Sequence, residues 1–206
     1  MKMKKYLFGF LILPLIGAGC ASGEQAAIKS PISGKESAPV TIVEYYDYQC
    51  GACGSAHKSL IPFLMEDFVN SGKAKIVYKN MAFLGQASRS AANASLCAHE
   101  QGKFVEYHDK LFKNQGQGEK SNFSSKTLKQ FGKNLGLDII KFDSCVSSNK
   151  YRAQVIDELN NAKTKGITAT PTFVINGEKV VGASYLSVKG AIDRYYEKNA
   201  STSTVK

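Results

Sequence analysis

Residues 40–53 read Val-Thr-Ile-Val-Glu-Tyr-Tyr-Asp-Tyr-Gln-Cys-Gly-Ala-Cys, a β-branched and aromatic run that leads directly into two cysteines spaced by two residues. The run from Val40 to Tyr46 is long enough for one buried strand. Beyond the cysteines, Leu60, Phe63, Leu64 and Phe68 recur at helical spacing up to Gly72. Cys50 and Cys53 therefore stand at a strand-to-helix joint. A CxxC at a helix start sets its first sulfur against unsatisfied backbone N–H groups and the positive end of the helix dipole. Such a sulfur is stabilised as thiolate, the nucleophile of disulfide exchange. The second cysteine lies about one turn away, near enough to close a disulfide. On this reading Cys50 is the exposed, attacking sulfur and Cys53 the buried, resolving one.

The rest of the chain surrounds that joint with an α/β pattern. Lys75 to Lys79 is a second strand candidate, and strand, helix, strand with a crossover makes a βαβ unit with parallel strands. From about 87 to 165 the pattern is helical. Apolar positions recur at Ala92 and Leu96, at Phe104, Tyr107, Leu111 and Phe112, at Leu128, Phe131 and Leu135, and along Val155 to Ala162. Gly116-Gln117-Gly118 and the stretch from Ser121 to Ser125 read as loops between these helices. Strand signals return at Thr172 to Ile175, turn through Asn176-Gly177, and continue at Val180-Val181, a hairpin signature. Leu186 to Tyr196 reads as a closing helix with Leu186, Ile192 and Tyr196 as core contacts, and residues 199–206 as a frayed tail.

The start of the chain speaks to compartment. Lys2, Lys4 and Lys5 precede an uncharged run from Tyr6 to Gly19, the layout of a secretory signal occupying residues 1–19. The run is shorter than the roughly 20 apolar residues a membrane-spanning helix needs. Gly17-Ala18-Gly19-Cys20 resembles a bacterial lipobox, in which the cysteine becomes the lipid-modified first residue and tethers the protein to a membrane. Gly17 stands where a larger aliphatic residue is usual, and signal cleavage nearby without acylation is the competing reading. Residues 20–39, small, polar and broken by Pro31, Gly34 and Pro39, read as a linker or tether.

Composition narrows the classes further. At 43% hydrophobic and 21% charged residues the chain can bury an ordinary core, which excludes wholesale disorder. Five cysteines in 206 residues are too sparse for a small disulfide scaffold. Loss of the three signal lysines lowers the net charge from +10 to +7. The remaining basic residues, such as Lys73, Lys79, Lys110, Lys126 and Lys129, are scattered, and no nucleic-acid motif accompanies them, so no nucleic-acid partner is expected.

A CxxC also permits blander readings. It can be half of a structural zinc site, with His57 nearby, but a closed site needs four ligands. The chain offers only single cysteines at Cys97 and Cys145 and histidines at His99 and His108 elsewhere. A static bridge is the other alternative. The strand–CxxC–helix context favours redox chemistry.

Three segments together carry a family likeness. They are Glu44-Tyr45-Tyr46-Asp47-Tyr48-Gln49-Cys50-Gly51-Ala52-Cys53, the helical stretches Ala91 to Ala98 and Gly102 to Phe112, and Gly166-Ile167-Thr168-Ala169-Thr170-Pro171-Thr172-Phe173-Val174-Ile175-Asn176-Gly177. In this order they resemble the DsbA-like branch of the thioredoxin superfamily. The resemblance implies a thioredoxin fold over 40–198, with an inserted helical domain at about 87–165 between the βαβ half and the cis-Pro hairpin half.

The resemblance further implies that the Thr170–Pro171 bond is cis and lies beside the cysteines, with the backbone before Pro171 pairing with substrate. A trans proline at a strand start is the alternative. Glu44 matches the family's acidic residue near the active site, implied to be a proton partner for Cys53; a partly exposed strand-end carboxylate is the alternative. Some members carry a second, structural disulfide in the helical domain, which implies a Cys97–Cys145 bridge. Export also favours bridged cysteines, and two separate buried thiols are the alternative. Gly51-Ala52 is neither the Pro-His of the best-known oxidases nor the Gly-Pro of thioredoxins. His57 and Lys58 follow where an acidic residue is expected, and a neutral or positive neighbour favours the Cys50 thiolate.

The function expected from all this is extracytoplasmic thiol-disulfide exchange, in the oxidase direction. The protein would donate its disulfide to reduced or unfolded exported proteins along a shallow apolar groove. A membrane redox partner would reoxidise it, and it would work as a monomer with no bound cofactor or metal. Reductase or isomerase action on the same fold is the nearest alternative. A non-catalytic envelope lipoprotein with an inert or metal-binding CxxC is the alternative from another class.

Overall fold

Two strands rich in β-branched and aromatic residues build the centre of the molecule. In the computed structural model, β2 (Val40–Tyr46) and β3 (Ala74–Asn80) pair in parallel, with Ile42 opposite Ile76 and Glu44 opposite Tyr78. The structure describes the backbone of residues 27–116 and 123–203, with side chains up to 198. The expected signal segment 1–19, Cys20 and the Gln117-Gly118 part of the expected loop lie outside the described residues.

Between these strands run α1 (Gly51–Ser59), α2 (Ile61–Leu64) and a π-helical turn at Met65–Val69. The single helix expected up to Gly72 is broken because Pro62 has no N–H to continue the ladder. The wider turn, in which the Asn70 N–H donates to the Met65 carbonyl at 2.8 Å, then rotates the chain. Leu60, Leu64 and Phe68 stay buried, whereas Phe63, read at the same helical spacing, is 53% exposed and packs on Tyr185.

The helical block follows as α3 (Gln86–Glu100), α4 (Phe104–Lys113), α5 (Ser125–Asn134), α6 (Ile139–Ser147) and α7 (Arg152–Thr164). The chain then re-enters the sheet as the hairpin β4 (Thr172–Ile175) and β5 (Glu178–Val181), turning through Asn176 and Gly177, both at positive φ. That requirement explains the Asn-Gly pair. β4 pairs antiparallel with β2, and the sheet order is β1-β3-β2-β4-β5, where β1 is Ile32–Ser33. This is the α/β arrangement expected, with the helical block inserted between the two halves of the sheet.

Helices cover both faces. Val40, Ile42, Tyr46 and Ile76 share one core with α1, α3, α4 and α8 (Tyr185–Ser203). Tyr45 and Val43 pack on the other face with Leu159, Ala162 and Ile167. Each large apolar side chain so buried contributes about 1.5–3 kcal/mol.

Two further expectations need correction. The stretch 20–39 is not a free linker throughout, because Ile32–Ser33 adds antiparallel to β3 and the Ser33 hydroxyl bonds the Tyr78 hydroxyl at 3.0 Å. A bare edge of β3 would leave its N–H and C=O groups unpaired, and this segment covers them. At the other end, α8 runs to Ser203, past the expected start of the tail, and it meets the core through Val188, Ala191 and Ile192. Leu186 is 79% exposed and Tyr196 lies at the surface, one step off that buried stripe.

Candidate active site

Where β2 ends, Asp47 turns its carboxylate inward. One oxygen accepts from the Gln49 N–H (2.8 Å) and the Ser88 hydroxyl (2.5 Å), the other from the Phe83 and Leu84 N–H groups (3.0 Å each). The Gln49 side-chain oxygen accepts from the Ser88 N–H at 2.9 Å, and the Cys50 N–H donates to the Asp47 carbonyl at 3.0 Å. From the opposite side the Gln115 amide nitrogen donates to the carbonyls of Tyr48 (2.9 Å) and Cys50 (2.7 Å). The turn is thus held by α3 on one side and by the end of α4 on the other.

That turn makes Cys50 the N-terminal cap of α1, in an extended conformation with φ −76° and ψ 114°. Its sulfur accepts from the Cys53 N–H at 3.4 Å, in the place where a Ser or Asp oxygen commonly caps a helix. The same sulfur lies 3.3 Å from the Thr170 carbonyl oxygen, to which the thiol donates. The Thr170–Pro171 peptide bond is cis. The Thr170 hydroxyl oxygen is buried and has no hydrogen-bond partner among the described residues.

The two thiols are unbridged and unequal. Cys50 is half-buried and Cys53 wholly buried. The Cys50 thiol is lowered to about 5, foremost because the Cys53 thiol donates to it. Burial opposes this as the next largest effect, and Thr170 and the backbone N–H groups of Cys53 and Ala52 add smaller contributions that favour the thiolate. Cys53 is pushed up, because its hydrogen bond to Cys50 holds its proton and burial disfavours its charge. One sulfur is a thiolate at neutral pH and its neighbour a thiol.

Glu44 lies in the middle of β2, between Tyr78 and Phe173, and is 1% exposed. It shares the strand face of Ile42 and Tyr46, the face on which Cys53 packs. One carboxyl oxygen, Oε2, is buried without a hydrogen-bond partner. Burial raises the carboxyl from 4.5 to about 8, so it holds its proton at neutral pH. It is not the exposed strand-end carboxylate that the sequence also allowed.

His57 does not face the cysteines. Its Nε2 lies 3.1 Å from an Asp109 carboxylate oxygen on α4, and its ring stacks on Phe112 with centroids 4.8 Å apart. The effects that lower the Cys50 thiol come from Cys53, Thr170 and the adjacent backbone rather than from His57 or Lys58. Among the described residues no three His, Cys, Asp or Glu side chains converge as a metal site. Cys97 on α3 and Cys145 on α6 are joined by a disulfide that ties the helical block together, away from the exchanging pair.

Sequence reasoning missed three residues that shape this site. Asp47 and Ser88 look like ordinary polar residues, and Gln115 lies at the end of a helix far along the chain. The acidic residue directly after a strand was the one available signal, since a buried carboxylate must collect N–H donors.

Comparison with known proteins places this geometry among relatives. A family model described as Thioredoxin matches residues 26–194. Disulfide bond formation protein D of Bacillus subtilis (strain 168) is 28% identical over 184 residues, covering 86% of this chain and 82% of the relative. The crystal structure of oxidised BdbD from Bacillus subtilis superposes with a TM-score of 0.77 at 28% identity, over 82% of this chain and 93% of that one. The thiol-disulfide exchange protein alpha-DsbA2 from Wolbachia pipientis gives a TM-score of 0.69 at 25% identity, over 80% and 86% of the two chains.

Proposed function

The chain belongs to the thioredoxin family, as a DsbA-like oxidoreductase with a redox-active CxxC, and from that premise we propose that it is an extracytoplasmic disulfide donor for exported proteins. Its clients are reduced polypeptides with paired thiols, and its electrons pass on to a membrane redox partner. Acylation of Cys20 would tether it at that membrane.

The observation that carries this reading is the inequality of the two sulfurs. In the oxidised protein a client thiolate attacks Cys50, forming the client–Cys50 bond and breaking Cys50–Cys53. Cys53 leaves as a thiolate, and its high proton affinity draws a proton at once. Glu44, protonated at neutral pH and buried on the same face, supplies that proton and later recovers one from solvent. The client's second thiolate then attacks its own sulfur in the mixed disulfide. The client disulfide forms, and Cys50 leaves as a thiolate stabilised down to about pH 5. The client loses two electrons, and the pair gains them. A leaving group this stable favours transfer of the disulfide to the client, which supports the oxidase direction.

Recognition follows from the surroundings of Cys50. In the mixed disulfide Cys50 carries no hydrogen, so the Thr170 carbonyl beside it is free to accept a client N–H, an edge-strand mode of binding. Phe83 and Leu84, 41% and 46% exposed, stand on the loop that Asp47 holds against the Cys50 turn, and they provide apolar surface for unfolded chains.

Equilibration of the Cys50–Cys53 pair with glutathione tests the direction. A potential far more oxidising than thioredoxin's, which is about −270 mV, is expected. A value close to thioredoxin's would overturn the oxidase assignment. The Cys53→Ala variant should in addition trap reduced exported proteins through Cys50.

A further inference from the structure

Gly54 sits inside α1, buried, at a place where glycine costs a helix roughly 1 kcal/mol relative to alanine. The reason for it lies 61 residues along the chain. A Cβ at Gly54 would meet the Gln115 side-chain oxygen at 2.1 Å, well inside any tolerable contact. The missing methyl is the room into which the Gln115 amide fits. The orientation of that amide is decided by its partners, because only the nitrogen can face two carbonyl oxygens. It donates to Tyr48 and Cys50, two acceptors on opposite arms of the turn that carries the reactive sulfur.

The Cys50 carbonyl already accepts from the Gly54 N–H at 3.1 Å, closing the first turn of α1. The second bond from Gln115 fixes the peptide plane of Cys50 from outside the helix. With Cys50 and Tyr48 both held, the Cys53 N–H stays aimed at the Cys50 sulfur. Gln115 reaches this place from just past the end of α4, the same helix that holds the last turn of α1 through Asp109 and His57. Two contacts from α4 therefore set both the position and the start of the catalytic helix.

We infer that Gln115 is a positioning residue for disulfide exchange: its amide clamps the Tyr48 and Cys50 carbonyls, in space that Gly54 leaves open, and so aims the α1 N–H donors at the Cys50 sulfur. The inserted helical domain thereby tunes the reactivity of a cysteine that belongs to the other part of the fold. The inference rests on the assignment of Cys50 as the exchanging sulfur and adds what controls it.

The test measures the thiolate titration of Cys50 by ultraviolet absorbance and the equilibrium of the pair with glutathione, in the full mature chain. Gln115→Met keeps volume and removes both donors, and it should raise the Cys50 midpoint by about one pH unit and shift the glutathione equilibrium about tenfold towards the disulfide. Gln115→Glu, which turns acceptors and a negative charge on the same carbonyls, should shift both further. Gly54→Ala should reproduce the Gln115→Met effect in the unaltered protein and add little to it in the double variant, because both break one contact.

An unchanged titration and equilibrium in Gln115→Met, or full additivity with Gly54→Ala, would overturn the clamp. Thermal melting separates this role from a merely structural one, which would lower the melting temperature without moving either chemical readout. If the unaltered protein shows no low-pH thiolate at Cys50, the assignment of Cys50 fails and the clamp falls with it. If that thiolate is present and indifferent to Gln115, only the clamp fails.

Discussion

The sulfur of Cys50 lies 3.3 Å from the carbonyl oxygen of Thr170, a residue 120 positions later in the chain. The half-buried sulfur and the backbone before the cis proline come from opposite halves of the sheet. They meet because β4 pairs with β2, bringing Thr172 opposite Tyr45 and the residues just before β4 up to the start of α1. The chemistry of the pair therefore depends on groups contributed from both halves.

The thiolate of Cys50 should titrate with a midpoint near pH 5. Because the Cys53 thiol is its strongest donor, Cys53→Ala should move the midpoint up by about one to two pH units. A midpoint near that of a free thiol, about 8.5, in the unaltered protein would contradict the stabilised thiolate.

Stability of the reduced protein should follow the same group. A thiol depressed from 9.0 in the unfolded chain to about 5 contributes stability that is fully present above about pH 9 and is lost as pH falls through about 5. The oxidised protein has no such group. Urea unfolding of both forms should show the reduced form losing stability relative to the oxidised one steadily from pH 9 to pH 5.

Glu44→Gln separates stability from function. The carboxyl is raised from 4.5 to about 8, so the native state carries no penalty from it below about pH 4.5. Stability is then lost as pH rises through about 8. The variant should be more stable at pH 8 by about 2–4 kcal/mol, with little difference at pH 4. Client oxidation should slow about tenfold or more, since the proton for Cys53 is gone. Equal stabilisation at both pH values would show that the gain comes from packing and not from the buried charge.

Replacement of both Cys97 and Cys145 by Ala opens a loop of 48 residues. The expected loss is about 2–4 kcal/mol of stability, read from the denaturation midpoint. The potential of Cys50–Cys53 should not change, because the bridge lies between α3 and α6. A shift in that potential would show that the two disulfides communicate.

Asp47→Asn changes one atom and removes half of the acceptors at the turn. Four donors converge on the carboxylate, and a carboxamide turns an NH2 group towards two of them. A destabilisation of about 2–4 kcal/mol is expected, with a weaker grip on apolar clients as Phe83 and Leu84 loosen. Glutathione exchange should be much less affected than oxidation of a reduced protein, and equal losses in both would place the effect at Cys50 itself.

Much of this architecture is written locally. Val40–Tyr46 is a β-branched and aromatic run that suits a buried strand, the Asn-Gly at 176–177 marks a turn that needs positive φ, and the helical periods of 87–165 match α3 to α7. The order strand, CxxC, helix also determined which cysteine caps α1, because a helix start offers its free N–H groups only to the first sulfur. Local pattern failed where one turn of the chain changes phase. Pro62 and the π-helical turn put Phe63 at the surface, and Leu186 sits one step off the buried face of α8.

What the sequence alone determined, then, is the identity of the reactive pair and the period of each element, both properties of residues close in the chain. Tertiary structure decided the rest. Burial of Glu44 between Tyr78 and Phe173, the carbonyl of Thr170 beside Cys50, the four donors on Asp47 and the Gln115 amide in the gap at Gly54 are contacts between distant residues. Hydrogen bonds and desolvation act through space, so the proton affinity of each group was settled only when the sheet and the inserted helices closed around it.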